Sequence, residues 1–307
     1  MDWKAEIEMA AARIAGYVVE TPVVQMRAFG LNYPVELKLE QMQHTGSFKA
    51  RGAFNSILKY PLPPEGVVAA SGGNHGAAVA FAASRLGSSA KIFVPELAGP
   101  AKINLIRRSG ADLEVVPGEY ANAAEAARKH EIHQGGVQIH AYDAIETVAG
   151  QGTLSREWEM QGLSADTILI AVGGGGLIAG ALAWFGTSKK IVAVEPVNCP
   201  TLHTALAEGK PVDVQPSGIA ANALGARRIG EICFDLAKTS DLASVLVDDD
   251  AIAAAQTALW QEARQLVEPA GATALAALTS GAYTPAPGER VAVLVCGANP
   301  KDDPFSV

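Results

Sequence analysis

Sulfur is scarce in this chain: its three cysteines, Cys199, Cys233 and Cys296, lie far apart, and none belongs to a paired spacing. Such spacing builds neither a disulfide framework nor a zinc site, and it suits a reduced, cytoplasmic setting. No block of Lys and Arg occurs, and the formal net charge is -8. Nucleic acid and anionic membrane are therefore excluded as expected partners. The N-terminal stretch, Met1 to Ala15, is a charged amphipathic helix pattern without the apolar centre of a signal peptide. One run, Thr167 to Ser188, is long enough without a charge to cross a bilayer, but four consecutive glycines divide it. It reads instead as a β-branched strand (Ile168 to Val172), a glycine loop and a helix (Leu177 to Phe185) inside an α/β core. Internal repeats and disordered linkers are also missing.

Apolar residues make up 49 % of the 307 positions, enough to bury a large core in one two-lobed enzyme or two domains. Strand-like and helix-like runs alternate almost throughout, the pattern of parallel sheets covered by helices on both faces. Val67 to Ala70 reads as a strand, followed by a helix from Ala77 to Leu86. The strand Lys91 to Val94, helix Ala101 to Arg108, strand Leu113 to Val116 and helix Tyr120 to His130 complete one lobe. After Val137 to His140 come a helix from Thr153 to Met160, the glycine loop, the strand Ile191 to Val194, a helix Ala251 to Leu266 capped by Asp248 to Asp250, and the strand Arg290 to Val295. The division expected is 1–60 with 143–307 as a large domain and 61–142 as a small one. Pro61 to Pro64 and Gly135-Gly136 are the expected crossings.

Four strands end in chemically loaded residues: Ser71 to His75, Gly173 to Gly176, Glu195, and Cys296 to Asn299. Open α/β sheets bind ligands at the carboxyl ends of their strands, so all four are expected around one crevice. Successive glycine amides ahead of a helix N-terminus make an anion cradle suited to phosphate. Two other readings of Gly173 to Gly176 stay open. One is a tight turn that needs glycine for packing. The other is a dinucleotide fold, since Gly174, Gly176 and Ala179 match G-x-G-x-x-A and Glu195 ends the next strand. Upstream, Gln43 to Gly52 reads Q-H-T-G-S-F-K-A-R-G and sets Lys49 between a turn-prone run and a helix start. Partial desolvation there would lower the amine's pKa and free it as nucleophile or base; a solvated surface lysine is the plainer reading.

Five stretches in order, T-G-S-F-K-A-R-G-A (Thr45 to Ala53), S-G-G-N-H-G (Ser71 to Gly76), V-G-G-G-G-L-I-A-G (Val172 to Gly180), E-P-A-G-A (Glu268 to Ala272) and V-C-G-A-N (Val295 to Asn299), resemble the fold-type II pyridoxal-phosphate enzymes. The branch most similar is that of serine/threonine dehydratases (ammonia-lyases) and serine racemases. The resemblance implies a tryptophan synthase β-like fold: two open, twisted, mostly parallel sheets with helices on both faces. It implies pyridoxal 5'-phosphate as cofactor, an amino acid as substrate and a homodimer. By the same resemblance Lys49 holds the cofactor and later acts as base at the substrate's Cα, Phe48 lies against the ring, and Asn74 bonds its 3-hydroxyl. Ser71, Gly72, Gly73, Asn74 and His75 hold the substrate carboxylate, with Ser71 counted as catalytic. Gly173, Gly174, Gly175, Gly176 and Leu177 cradle the phosphate, and Cys296 faces the pyridine nitrogen.

Two positions depart from the family pattern. Gly72 stands where the racemases carry a serine that acts on the second face of the substrate, so elimination is expected over isomerisation. Thr201 stands where relatives with a divalent cation carry an aspartate, six residues after the glutamate matched by Glu195. One carboxylate is a thin ligand set, so no metal is expected and Glu195 is kept only as a weak candidate. The expected reaction is loss of water from a 3-hydroxy amino acid such as L-threonine or L-serine, giving a 2-oxo acid and ammonia. A 3-hydroxyaspartate dehydratase using Arg227 and Arg228, a racemase, a β-replacement synthase, a nicotinamide-dependent oxidoreductase and a cofactor-binding pseudoenzyme are the alternatives. Because the sequence stops soon after Cys296, the regulatory domain of biosynthetic threonine deaminases is not expected.

Overall fold

The computed structural model describes residues 1–96, 98–118 and 120–300. Asp2 opens helix α1 (Trp3–Ile14) by accepting a bond from the Ala5 amide at 3.1 Å, which satisfies one of the donors a helix start leaves free. Strands β1 (Val23–Met26) and β2 (Val35–Leu39) pair antiparallel, and helix α2 (Lys49–Lys59) follows. Next come β3 (Val67–Ala70), α3 (Asn74–Arg85), β4 (Ala90–Pro95), α4 (Pro100–Arg108), β5 (Asp112–Val116), α5 (Tyr120–Gln134) and β6 (Val137–Gln138). These four strands form a wholly parallel sheet in the order β5-β4-β3-β6. The chain then runs through α6 (Ile145–Met160), β7 (Thr167–Ala171), α7 (Gly176–Phe185), β8 (Lys190–Pro196), α8 (Thr201–Glu208), α9 (Ala221–Leu224) and α10 (Glu231–Ala237). It closes with β9 (Leu242–Val247), α11 (Asp249–Ala263), α12 (Pro269–Thr279) and β10 (Val291–Val295). The second sheet has six strands in the order β1-β2-β10-β7-β8-β9, parallel except at β1.

Strands β7 and β10 are buried along their whole length, which is why they read as unbroken apolar runs and not as alternating ones. Strand β2 is equally buried yet carries Glu36 and Lys38. Lys38 donates to Glu157 at 2.6 Å, Trp158 donates to Glu36 at 2.6 Å, and Arg51 pairs with Glu40 at 2.7 Å and Glu157 at 2.8 Å. Buried charges persist only when paired in this way. The network fastens β2, α2 and α6 together and fixes the start of α2, two residues before Arg51.

Among the boundaries that differ from those read off the sequence, three have a clear physical reason. Helix α6 begins at Ile145 and not at Thr153, because Gly150 and Gly152 are contact points and not breaks. A Cβ on Gly150 would stand 2.7 Å from the Gly52 Cα, and one on Gly152 would stand 2.5 Å from Ile7 Cδ1. Gly135 and Gly136, both at positive φ, turn α5 into β6 within the four-stranded sheet, so the crossing comes later, after Gln138. Helix α11 stops at Ala263, where Arg264 turns left-handed at φ 56°.

Candidate active site

The carboxyl ends of β3, β7 and β10 open into one cavity of about 650 Å³, lined also by the starts of α2, α3, α7 and α12. Phe48, Lys49, the Ser71–His75 turn, Gly173–Leu177, Glu268 and Cys296 all face it. Glu195, expected in the same crevice, does not. Its buried carboxylate lies behind the glycine loop and accepts from the Leu202 amide at 2.8 Å, the His203 amide at 2.7 Å and the Thr201 hydroxyl at 3.1 Å. Burial pushes its pKa up to about 7. Among the described residues no group of three metal-ligating side chains occurs.

Lys49 is placed by its neighbours on both sides. The Phe48 amide donates to the Cys296 carbonyl at 3.2 Å, and Ser47 bridges to Gly297, so the start of α2 is stitched to the end of β10. Thr45 at φ 59° and Gly46 at φ 72° make the left-handed turn before it. The Lys49 amine donates to the Ala141 carbonyl at 2.6 Å and lies 5.1 Å from the centre of the Phe48 ring. Burial lowers its pKa to about 8, with a small opposing effect from Cys296. About one amine in ten is then uncharged at pH 7, against well under one in a thousand for a free lysine.

At the head of α3, the Gly73 amide donates to the Ser71 hydroxyl at 3.1 Å. Asn74 is held at both ends: its Nδ2 donates to Glu268 Oε1 at 2.5 Å, and its Oδ1 accepts from Asn299 at 2.9 Å. His75 bonds its ring to the Ile139 carbonyl at 2.9 Å, and burial, then the Lys49 charge, pushes it down to about 3. It is a neutral donor to the scaffold, so any part in carboxylate binding falls to its backbone.

In the glycine loop the carbonyls are spent on the protein and the amides are not. Gly173 O accepts from Thr201 at 2.6 Å, Gly174 O from the Gly230 amide at 3.0 Å and Gly175 O from the Ala179 amide at 2.8 Å. The amides of Gly173 to Leu177 find no acceptor among the described residues, and they line the cavity at a helix N-terminus. Each glycine is also demanded by packing. A Cβ would meet the Leu224 Cα at 2.9 Å from Gly173, the Tyr142 ring at 2.4 Å from Gly174, Cys233 Cβ at 2.7 Å from Gly175 and the Tyr142 Cα at 2.9 Å from Gly176. Glycine count is therefore not the mark of an anion site here; the unspent amides are.

Cys296 donates its thiol to the Ala270 carbonyl at 3.4 Å, and burial pushes its pKa up to about 12, so it stays neutral. Glu268 stands at the N-cap position of α12 with its side chain turned to Lys102 and Asn74, and burial holds its carboxyl above the usual range although both partners pull it down. Arg227 and Arg228 reach only the exposed rim; Arg228 pairs weakly with Asp213 at 3.6 Å, and Arg227 pairs with no acid among the described residues. The structure also brings in residues that the sequence did not flag. Ala141 and Tyr142 sit in the irregular stretch after β6, Tyr120 begins α5, and Lys102 in P-A-K-I reads as an ordinary surface lysine. No local signal marks them.

A protein-family model described as pyridoxal-phosphate dependent enzyme matches residues 14–297. Phenylserine dehydratase of Ralstonia pickettii is 35 % identical over 94 % of the chain and 90 % of its own length. L-threonine ammonia-lyase of Geobacter sulfurreducens is 34 % identical over 95 % of the chain and 74 % of its own. The solved structure of maize serine racemase superposes with a TM-score of 0.91 at 32 % identity, covering 96 % of this chain and 93 % of that one.

Proposed function

The chain belongs to the pyridoxal-phosphate-dependent enzymes, and from that premise we propose that it is a dehydratase (ammonia-lyase) that removes water from a 3-hydroxy amino acid such as L-threonine or L-serine. Loss of water leaves an enamine, which after release takes up one water and so yields a 2-oxo acid and ammonia. The cavity fits the cofactor in three respects. It offers a desolvated amine at Lys49, amides without acceptors at Gly173 to Leu177, and a neutral thiol at Cys296. This convergence is the observation that carries the reading.

Lys49 would hold the cofactor, with Phe48 against its ring, Asn74 at its hydroxyl, the Gly173–Leu177 amides on its phosphate and Cys296 toward its pyridine nitrogen. When bound, pyridoxal phosphate supplies an aldehyde for the substrate's amino group and a ring that draws electrons from the Cα bond. The Ser71–His75 turn and the head of α3 bind the substrate carboxylate through backbone amides and the Ser71 hydroxyl. The Lys49 amine takes the proton from Cα. Cys296, protonated at physiological pH, adds no negative charge at the nitrogen, which disfavours a long-lived carbanion and favours departure of the β-hydroxyl with the proton.

A racemase reading draws support from the maize neighbour, but Gly72 brings no acid or base to the second face. A 3-hydroxyaspartate reading draws on the unpaired Arg227 at the rim. Family membership removes the nicotinamide reading. We further propose the division 1–60 with 143–307 and 61–142, which follows the strand membership of the two sheets, and a cytoplasmic homodimer. No helix among the described residues is long and apolar enough to cross a membrane, and all three cysteines are free and buried. The deciding experiment incubates purified holoenzyme with serine, threonine, phenylserine and 3-hydroxyaspartate and measures 2-oxo acid and ammonia in equal amounts. A yellow protein that releases neither from any of them rejects the dehydratase.

A further inference from the structure

Two kinds of contact join the four-stranded unit to the six-stranded one. On one side α2 and α3 share a close-packed apolar core, with Ala50, Ala53, Phe54 and Ile57 against Ala77 and Ala78. Across the cavity the contact is polar: Asn74 at the head of α3 reaches Glu268 and Asn299, and Lys102 of α4 reaches Glu268 and Asn222. Only 2 % of Lys102 is exposed. Its amine stands 3.7 Å from Glu268 Oε2 and donates to the Asn222 carbonyl at 3.3 Å, both on the six-stranded side. It also lies 3.6 Å from where a Cβ on Gly73 would stand, which places a cation under the Ser71–His75 turn.

Glu268 is the junction. One oxygen takes Lys102, and the other takes Asn74 at 2.5 Å; Asn74 in turn is held by Asn299, which also donates to the Thr45 carbonyl at 2.6 Å. We propose that Lys102 is a positioning residue: it holds Glu268, and through Glu268 the Asn74 amide, and it does so only while α4 is closed across the cavity. The assignment rests on the proposed facing of Asn74 toward the cofactor. An apolar core resists parting because its surfaces have no partner in water, whereas a lysine and a carboxylate each exchange one partner for hydration in a single swing. The α2–α3 side is thus the hinge and Lys102 the clasp. Closure then brings three things together: the cation beneath the carboxylate-binding turn, the neutralised Glu268, and a fixed Asn74.

The experiment compares wild-type, Lys102→Arg and Lys102→Met holoenzymes by steady-state kinetics, visible absorption of the bound cofactor, and amide hydrogen exchange followed by mass spectrometry. Lys102→Met is expected to raise KM roughly tenfold with a smaller fall in kcat, to shift the visible band, and to speed exchange across 100–108. Lys102→Arg, which keeps the charge, is expected to restore most of the loss. The double variant Lys102→Met/Glu268→Gln removes both buried charges together, so it tests the same prediction should Lys102→Met fail to fold. A folded variant with wild-type KM and band position, whatever its thermal stability, makes the pair merely structural and overturns the proposal. So does unchanged exchange across 100–108. Exchange can also be read on the apoprotein, so if the wild type carries no visible band, the cofactor reading fails separately and the exchange result still decides whether Lys102 is a clasp.

Discussion

Lys49 turns a sequence position into chemistry because of its surroundings. An amine lowered to about 8 is half uncharged at pH 8, and only the uncharged form attacks an aldehyde. The rate at which apoprotein takes up pyridoxal phosphate is therefore expected to rise with pH through about 8 and then level. Stopped-flow absorbance measures it; a rise that continues to pH 10 would mean an ordinary lysine. Lys49→Ala is expected to lose both the visible band and turnover. Legibility at this scale was uneven. Lys49, Asn74 and Cys296 sit in local words that carry their meaning, and the cavity gathers them. Tyr142 and Lys102 do not, because what makes them matter is a partner far along the chain: the Gly174 loop for one, Glu268 for the other. His75 belonged to a legible motif, yet its ring serves Ile139.

Elements were legible where their pattern was local and illegible where glycine served a neighbour. Helix α6 extends two turns ahead of the Thr153 start expected, and the Gly150 and Gly152 inside that extension let α2, α7 and α6 approach backbone to backbone. The same reasoning changes what is expected at the head of α3. A Cβ on Gly72 would stand 2.5 Å from the Ala98 Cβ, so the room for a second acid or base is already filled. Gly72→Ser alone is expected to lower elimination without adding racemisation. The pair Gly72→Ser/Ala98→Gly is expected to raise the ratio of racemised to eliminated serine, read by chiral chromatography against 2-oxo acid release. If the single variant raises that ratio as far as the pair does, Ala98 is not the obstacle. Helix α8 supplies a further expectation. Its first amides and Thr201 already occupy both oxygens of Glu195, so dialysis against a chelator is expected to leave kcat within about twofold. A collapse of activity restored by Mg²⁺ would refute that.

At the scale of the molecule, the alternation of strands and helices was enough to foresee parallel sheets, and the likeness of five motifs to foresee that there are two of them and to which family they belong. Strand β2 escaped notice because Glu36 and Lys38 look like a solvated edge; Lys38 is neutralised by Glu157, 119 positions away. Such pairing cannot be read from a local window. The two sheets leave the cavity between them, with five consecutive backbone amides, those of Gly173 to Leu177, that have no acceptor among the described residues. Each unmet donor is a cost that a bound phosphate removes. A ligand held only by the folded chain at a hundred times its Kd adds about 2.7 kcal/mol of stability. Saturating pyridoxal phosphate is thus expected to raise the apoprotein's Tm by about 5 °C or more. Pyridoxal, which keeps the aldehyde and ring but lacks the phosphate, leaves those amides unmet and at equal concentration should give less than half that shift. Differential scanning fluorimetry distinguishes the two, and equal shifts would show that the glycine loop is only a turn.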